Sequence, residues 1–229
     1  MAIHPDFPSS PHVILDPSIR WFPADETLRE TSMDKLMPPL VSELRNKVKN
    51  WRDDHYYGAT PTSISLLNWW FTTHHLLAGP YINDPMVEFQ YYFAQREALE
   101  TIIYLMDVVQ VKDKFDLLRF DSSGQITTGM IEETWRRFVI KMATGAGKTK
   151  VLSLALAWSY FHKLYEPESK LARNVLVITP NIIVLDRIYK DFSGLKIFFE
   201  DPVIPDNGFD GQDWRNDFQL TLHIQDEVR

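Results

Sequence analysis

The sequence predicts an α/β protein, a partial domain built on a parallel sheet and preceded by a mainly helical N-terminal region. Three stretches of the 229-residue chain carry that prediction. Phe138, Val139 and Ile140 form an apolar, β-branched run of the kind a buried parallel strand needs, leading directly into Thr144-Gly145-Ala146-Gly147-Lys148-Thr149. From Val151 to Phe161 the apolar residues continue without Gly or Pro, which predicts a helix of about three turns. Asn174 to Thr179 (NVLVIT) is a second strand-like run, followed by a helix burying Ile183, Val184, Leu185, Ile188, Tyr189 and Phe192. Two strand-then-helix units in succession require right-handed crossovers onto a parallel sheet, and ligands gather at the carboxyl ends of such strands.

In chain order, residues 1–34 hold Pro5, Pro8, Pro11, Pro17 and Pro23 without sustained periodicity and read as an extended arm. From Pro39, Leu40, Val41, Leu44, Val48 and Trp51 recur at helical spacing, with a stop between Asp53 and Gly58. Thr60-Pro61 is an N-cap followed by proline at the first helical position, and this helix runs through Ile64, Leu67, Trp70 and Phe71 to His74 or His75. Its aromatic cluster Trp69-Trp70-Phe71 reads as core or interface. His74 and His75 are adjacent, about 100° apart around a helix, and no partner stands at ligand spacing, so no metal site is expected there. Pro80 and Pro85 place a boundary between an accessory region, 1–84, and the α/β region, 85–229.

Residues 86–110 predict a third helix with Phe89, Tyr92, Phe93, Leu99, Ile102, Ile103 and Met106 on its apolar stripe. Gln95 falls on the polar side, exposed by periodicity. Its amide could donate to and accept from adenine together, or simply face solvent. Ser122-Ser123-Gly124 marks a loop tip, and Pro167 to Lys170 a turn. Thr179-Pro180-Asn181 combines a hydroxyl, an amide and a helix start, which suits either a phosphate contact or a plain N-cap. Asp201 to Trp214 reads as a long surface loop, and the alternation of Phe218, Leu220, Leu222 and Ile224 with polar residues as a half-exposed strand.

The chemistry concentrates at residues 144–149. Gly145 and Gly147 let the backbone curl so that several N–H groups converge, and the following helix adds its partly positive N-terminus. That hollow suits a polyphosphate. Lys148 would reach the β- and γ-phosphates as a point charge, while the Thr149 hydroxyl would ligate the bridging Mg²⁺. The general pattern G-x-x-x-x-G-K-[ST] would put Gly at 142, where this chain has Met142 followed by Ala143.

Composition sets outer bounds. An apolar content of 45% supports a real core. No run of about 18 apolar residues is present to span a bilayer, and the first residues lack the basic and apolar parts of a secretory signal. The absence of cysteine excludes disulfides and thiolate metal sites and fits a cytoplasmic location. A net charge of −7 argues against a surface that clings to nucleic acid everywhere, though not against a local track.

Three segments, FAQREALETI around Gln95, IKMATGAGKT around Lys148 and VLVITPNIIVLDR around Pro180, resemble superfamily 2 nucleic-acid-dependent ATPases. The similarity is greatest to the ATPase/helicase (Res) subunit of type III restriction enzymes, in which Met-Ala is a common start to the P-loop motif. It covers roughly residues 86–195 and matches, in order and spacing, the family's adenine-recognising glutamine motif, motif I and motif Ia. The resemblance implies a RecA-like P-loop domain that binds ATP and Mg²⁺. In it Gln95 reads adenine; Thr144, Gly145, Ala146, Gly147, Lys148 and Thr149 hold the triphosphate; and Thr149 holds the metal. It also implies that Thr179, Pro180 and Asn181 lie near a DNA backbone. The partners it implies are double-stranded DNA and a methyltransferase or specificity subunit, with no membrane. The acidic motif II has only Asp226-Glu227 as a candidate, after an alternating rather than a fully apolar segment, and a second lobe with arginine fingers is not in the sequence. The expectation is an N-terminal fragment of a longer motor, inactive alone. Two other classes stay open on the residues: a P-loop phosphotransferase for small molecules, and a subunit-docking module in residues 1–84.

Overall fold

The computed structural model describes residues 10–17, 39–79, 81, 83–121, 123–124, 126 and 138–224. By its contacts the chain divides into two units, one of residues 1–59 and 92–146, the other of residues 60–91 and 147–229.

The first unit is helical. Helix α1 spans Pro39–Asp53 and α3 spans Phe93–Ile103, the latter continuing as one wide π turn over Tyr104–Val108. A short α4, Lys114–Leu117, begins where the Asp113 carboxylate accepts the Phe115 and Asp116 N–H groups, and it runs into a 3₁₀ turn at Leu118–Phe120. Leu105, Val111 and Phe120 form a buried cluster against which Leu40, Leu44 and Leu117 pack. The apolar stripe of α1 read from the sequence is thus the face that enters this core.

Beside that cluster lies a buried ionic network. Glu100 is fully buried and accepts from Arg52 Nε at 2.8 Å, from the Tyr56 hydroxyl at 2.8 Å and from Arg96 Nε at 2.8 Å. Arg96 also donates to the Tyr56 oxygen at 2.9 Å, and the Arg52 guanidinium stands 5.3 Å over the Phe93 ring. A carboxylate without water is tolerable only with several charge-assisted donors, and these come from both α1 and α3. Burial first, and the Glu100 charge second, push the Tyr56 phenol well above its usual pKa, so it stays a donor. Tyr56 sits at φ +61°, a backbone conformation disfavoured for a bulky residue, at the turn leaving α1.

The second unit contains α2 (Pro61–Phe71), β1 (His75–Leu77), β2 (Val87–Phe89), α5 (Lys148–Tyr165), α6 (Ile182–Phe192), α7 (Lys196–Phe199) and α8 (Trp214–Asp217). Thr60 caps α2 as its sequence predicts, its hydroxyl accepting from Ser63 N. The Trp69 and Trp70 indole N–H groups donate to the Pro202 and Val203 carbonyls at 2.9 and 2.7 Å, so this aromatic pair belongs to the core. Residues 202–205 are buried, so of the surface loop expected over Asp201 to Trp214 only residues 206–213 lie largely at the surface. Helix α5 packs on α2, with Trp158 Nε1 donating to Ser63 Oγ at 2.8 Å, and its Leu154, Ala157, Trp158 and Phe161 are buried. Phe161 stacks edge-on to Trp214 at 4.8 Å.

The parallel sheet expected from the sequence is not present among the described residues. Their one sheet is antiparallel, with His75, Leu76 and Leu77 opposite Phe89, Glu88 and Val87. Residues 138–143, 174–179 and 218–224 form no strand. Val139, Leu176 and Ile178 are more than four-fifths exposed, where burial between helices was expected. The physical reason is that a parallel strand has no hydrogen bonds of its own and exists only beside another strand. Two further expectations change. The third helix starts at Phe93, because residues 87–89 pair with β1, and of the α6 residues expected inside only Phe192 is buried, Ile183 being 77% exposed.

Glu100→Ala should lower the urea unfolding free energy by about 3–5 kcal/mol, because it strands the buried Arg52 guanidinium and removes the partner of the half-buried Arg96. A loss under 1 kcal/mol would show that the network contributes nothing. His75 donates Nε2–H to the Trp69 carbonyl at 2.6 Å, and burial lowers its pKa. A depressed histidine contributes stability that is present above about pH 6.5 and is lost as pH falls through the folded value. The urea midpoint should therefore decline from pH 7 to pH 5, and less so in His75→Gln, which keeps a donor but does not titrate.

Candidate functional site

The loop 144–149 is shaped by two left-handed glycines. Gly145 has φ +82° and Gly147 φ +78°, and Ala146 N–H closes a turn onto the Ala143 carbonyl at 3.3 Å. A Cβ at Gly145 would meet nothing within 4 Å, so glycine is required there by backbone angle and not by space. Gly147 is the N-cap of α5, its carbonyl accepting from Lys150 and Val151 N–H at 3.0 and 3.3 Å. The helix therefore begins at Lys148, earlier than the apolar run from Val151 suggests. Lys148 is exposed and Thr149 half-buried, both in the first turn, where main-chain N–H groups lie outside the helical ladder and the helix end is partly positive.

The base of α5 is fixed within the second unit. Lys150 pairs with Asp201 and lies 5.7 Å over the Phe89 ring, and burial lowers its pKa. At the other end the Tyr160 and Tyr165 hydroxyls donate to the Asp217 carbonyl and carboxylate at 2.9 and 2.8 Å. An 18-residue helix held at both ends presents its first turn on a stiff support.

Gln95 is 5% exposed and not the solvated residue its periodicity suggests. Since α3 starts at Phe93, Gln95 is the third helical residue, and its Oε1 reaches back to accept from Tyr92 N–H at 3.0 Å, as in a capping box. Its Nε2 donates to the Ala146 carbonyl at 3.1 Å. One glutamine thus ties the start of α3 to the glycine loop. A primary amide has two N–H groups and two oxygen lone pairs, and these bonds use one of each. Beside this tie a cavity of about 340 Å³ opens, lined by Tyr92, Phe93 and Ala94 on one side and Thr144, Gly145 and Ala146 on another.

Thr179, Pro180 and Asn181 lead into α6. Asn181 is its N-cap, Oδ1 accepting from Val184 N–H at 3.0 Å, and Thr179 Oγ1 donates to the Asn181 carbonyl at 3.4 Å. Pro180 and Asn181 are exposed and their bonds stay within their own segment. Asp226 and Glu227 lie outside the described residues. His74 pairs with Glu88 at 3.4 Å and His75 with Trp69, and among the described residues no three His, Asp or Glu side chains gather as a metal site.

The donor set suits a triphosphate with its magnesium ion. Left-handed glycines, first-turn N–H groups and an exposed ammonium answer phosphate oxygens, and a first-turn threonine hydroxyl supplies a hard oxygen ligand. The sequence did not single out Arg52, Glu100 and Arg96, whose burial turns on helix packing, or Pro11 and Val13, which stand in a segment without periodicity.

The chain is of the helicase-like ATPase class. A family model described as type III restriction enzyme, res subunit, matches residues 88–219, more than half of the chain, and the chain belongs to that family. At this level it is the ATP-dependent, helicase-like part of a restriction enzyme. No curated protein and no solved structure matches the chain. No helix among the described residues is long and apolar enough to cross a membrane.

Gly145→Ala should lower stability by about 1–2 kcal/mol through backbone strain alone, since no atom stands in the way of the methyl group. Chemical denaturation measures it, and an unchanged midpoint would mean that the loop adopts another conformation.

Proposed function

We propose that the chain is the front part of an ATP-driven DNA translocase or helicase subunit of a restriction enzyme, in which residues 85–229 belong to the motor domain and residues 1–84 form an accessory region. Thr144 to Thr149 hold the triphosphate, with Lys148 at the β- and γ-phosphates and Thr149 as the protein ligand of Mg²⁺. Gln95 reads adenine with its second N–H and second lone pair. Thr179, Pro180 and Asn181 contact the backbone of double-stranded DNA, and a methyltransferase or specificity subunit is the protein partner. The single observation that supports this reading best is the bond from Gln95 Nε2 to the Ala146 carbonyl, which sets the base-reading amide against the phosphate loop.

The chemistry asked of these residues is positioning and charge. Phosphoryl transfer needs little covalent help from protein, so the loop's N–H groups and Lys148 act by holding the phosphates and balancing charge that grows on their oxygens. Mg²⁺, when bound, would supply neutralisation of the phosphate charge. Thr149 orients its hydroxyl oxygen for that ion from a fixed helix turn.

Calorimetric titration with MgATP and MgGTP tests the reading. Lys148→Ala should weaken MgATP by at least about tenfold, the equivalent of about 1.4 kcal/mol. Wild-type protein should prefer ATP to GTP, and Gln95→Ala should erase that preference. Equal affinity of wild type and Lys148→Ala would defeat the motor assignment. A preference that survives Gln95→Ala would instead support a phosphotransferase reading, because both Gln95 polar atoms already serve the chain itself.

A further inference from the structure

The cavity beside Gln95 has a third wall, which comes from the proline-rich arm. Ser10, Pro11, Val13 and Leu15 line it together with Phe93 and the glycine loop. Two contacts within the first unit hold this stretch in place. The Pro11 carbonyl accepts the Phe93 N–H at 2.8 Å, so the arm satisfies the first orphan donor of α3. The His12 ring meets the Tyr92 ring edge-on at 5.2 Å. Just after these contacts Val13 is 43% exposed although it lines the cavity, an apolar side chain that folding leaves uncovered.

We propose that residues 10–15 are the base wall of the nucleotide site, a strap whose Pro11, Val13 and Leu15 cover one face of a purine lying in this cavity. This rests on the nucleotide reading above and extends it to a segment in which the sequence shows no motif. The volume, about 340 Å³, is at the lower end of the roughly 300–1,000 Å³ of small-molecule sites. The side chains offered by the strap and by Phe93 are apolar, and they suit the flat, poorly hydrated face of a heterocycle rather than a phosphate or a sugar. Polar recognition is left to the main chain of the glycine loop, which Gln95 holds through the Ala146 carbonyl. A wall of this composition adds affinity for any nucleotide base and none for a bare polyphosphate. It also makes the arm responsive to the ligand, because a base in the cavity buries Val13 that is otherwise in water.

The test uses the 229-residue protein and two probes, MgATP and inorganic tripolyphosphate with Mg²⁺, titrated into wild type, Val13→Asn/Leu15→Asn, Ile14→Asn and Lys148→Ala. Ile14 is half exposed and does not line the cavity, so its variant controls for a change of polarity in the arm. The expected result is that Val13→Asn/Leu15→Asn binds MgATP about tenfold more weakly, from lost apolar contact, with tripolyphosphate unchanged and Ile14→Asn like wild type. If the double variant binds MgATP as wild type does while Lys148→Ala loses both probes, the strap is overturned and the motor reading stands. An equal loss of both probes in the double variant also overturns it, since the arm would then only support the loop. If wild type binds neither probe, both proposals fall.

Discussion

The arrangement of the first unit depends on one buried carboxylate. Glu100 has no water to lean on, and its charge is balanced by Arg52 from α1, Arg96 one turn earlier on α3, and the Tyr56 hydroxyl between them. Because the donors come from different elements, separating α1 from α3 would strand a buried charge. The same packing places Arg52 over Phe93, and Phe93 opens the helix whose third residue is Gln95. The Gln95 end of the candidate site is therefore positioned by electrostatics several residues away.

The second unit is organised differently. Its core is aromatic, and its polar groups serve mainly to anchor rings: indole N–H groups of Trp69, Trp70 and Trp158 all find oxygen acceptors. Large rings with a single donor at the edge pack densely and are still held in orientation. Helix α5 sits in that setting, so its first turn, with Lys148 and Thr149, is carried by a helix packed into an aromatic core. The Gly147 cap, at an angle that costs most residues about 1–2 kcal/mol, marks the point where the loop becomes helix.

Local signals were legible in the sequence where a few neighbouring residues settle the structure. The Thr60-Pro61 cap, the stripe of α1 and the glycine loop entering α5 are all of this kind, and so is the family resemblance built on the Gln95, Lys148 and Pro180 segments. Features that depend on a distant partner were not. Residues 174–178 have the composition of a buried strand, but composition cannot supply the neighbour that a strand requires. Periodicity over 86–110 puts Gln95 on the wrong face because it runs through the β2 pairing and hides the true helix start. The strand-poor segment 201–205 looked like surface because Pro and Asp are common there, while the tryptophans that bury it lie more than a hundred residues earlier.

The unpaired run Val175 to Ile178 bears on how the protein behaves in concentrated solution. It combines β-branched and aliphatic side chains, exposed backbone and no proline, which are the attributes of a segment that recruits copies of itself edge to edge. At neutral pH the net charge of −7 keeps molecules apart. Near the isoelectric point of about 5.5 that repulsion vanishes, and an exposed run of this composition is no longer shielded by charge.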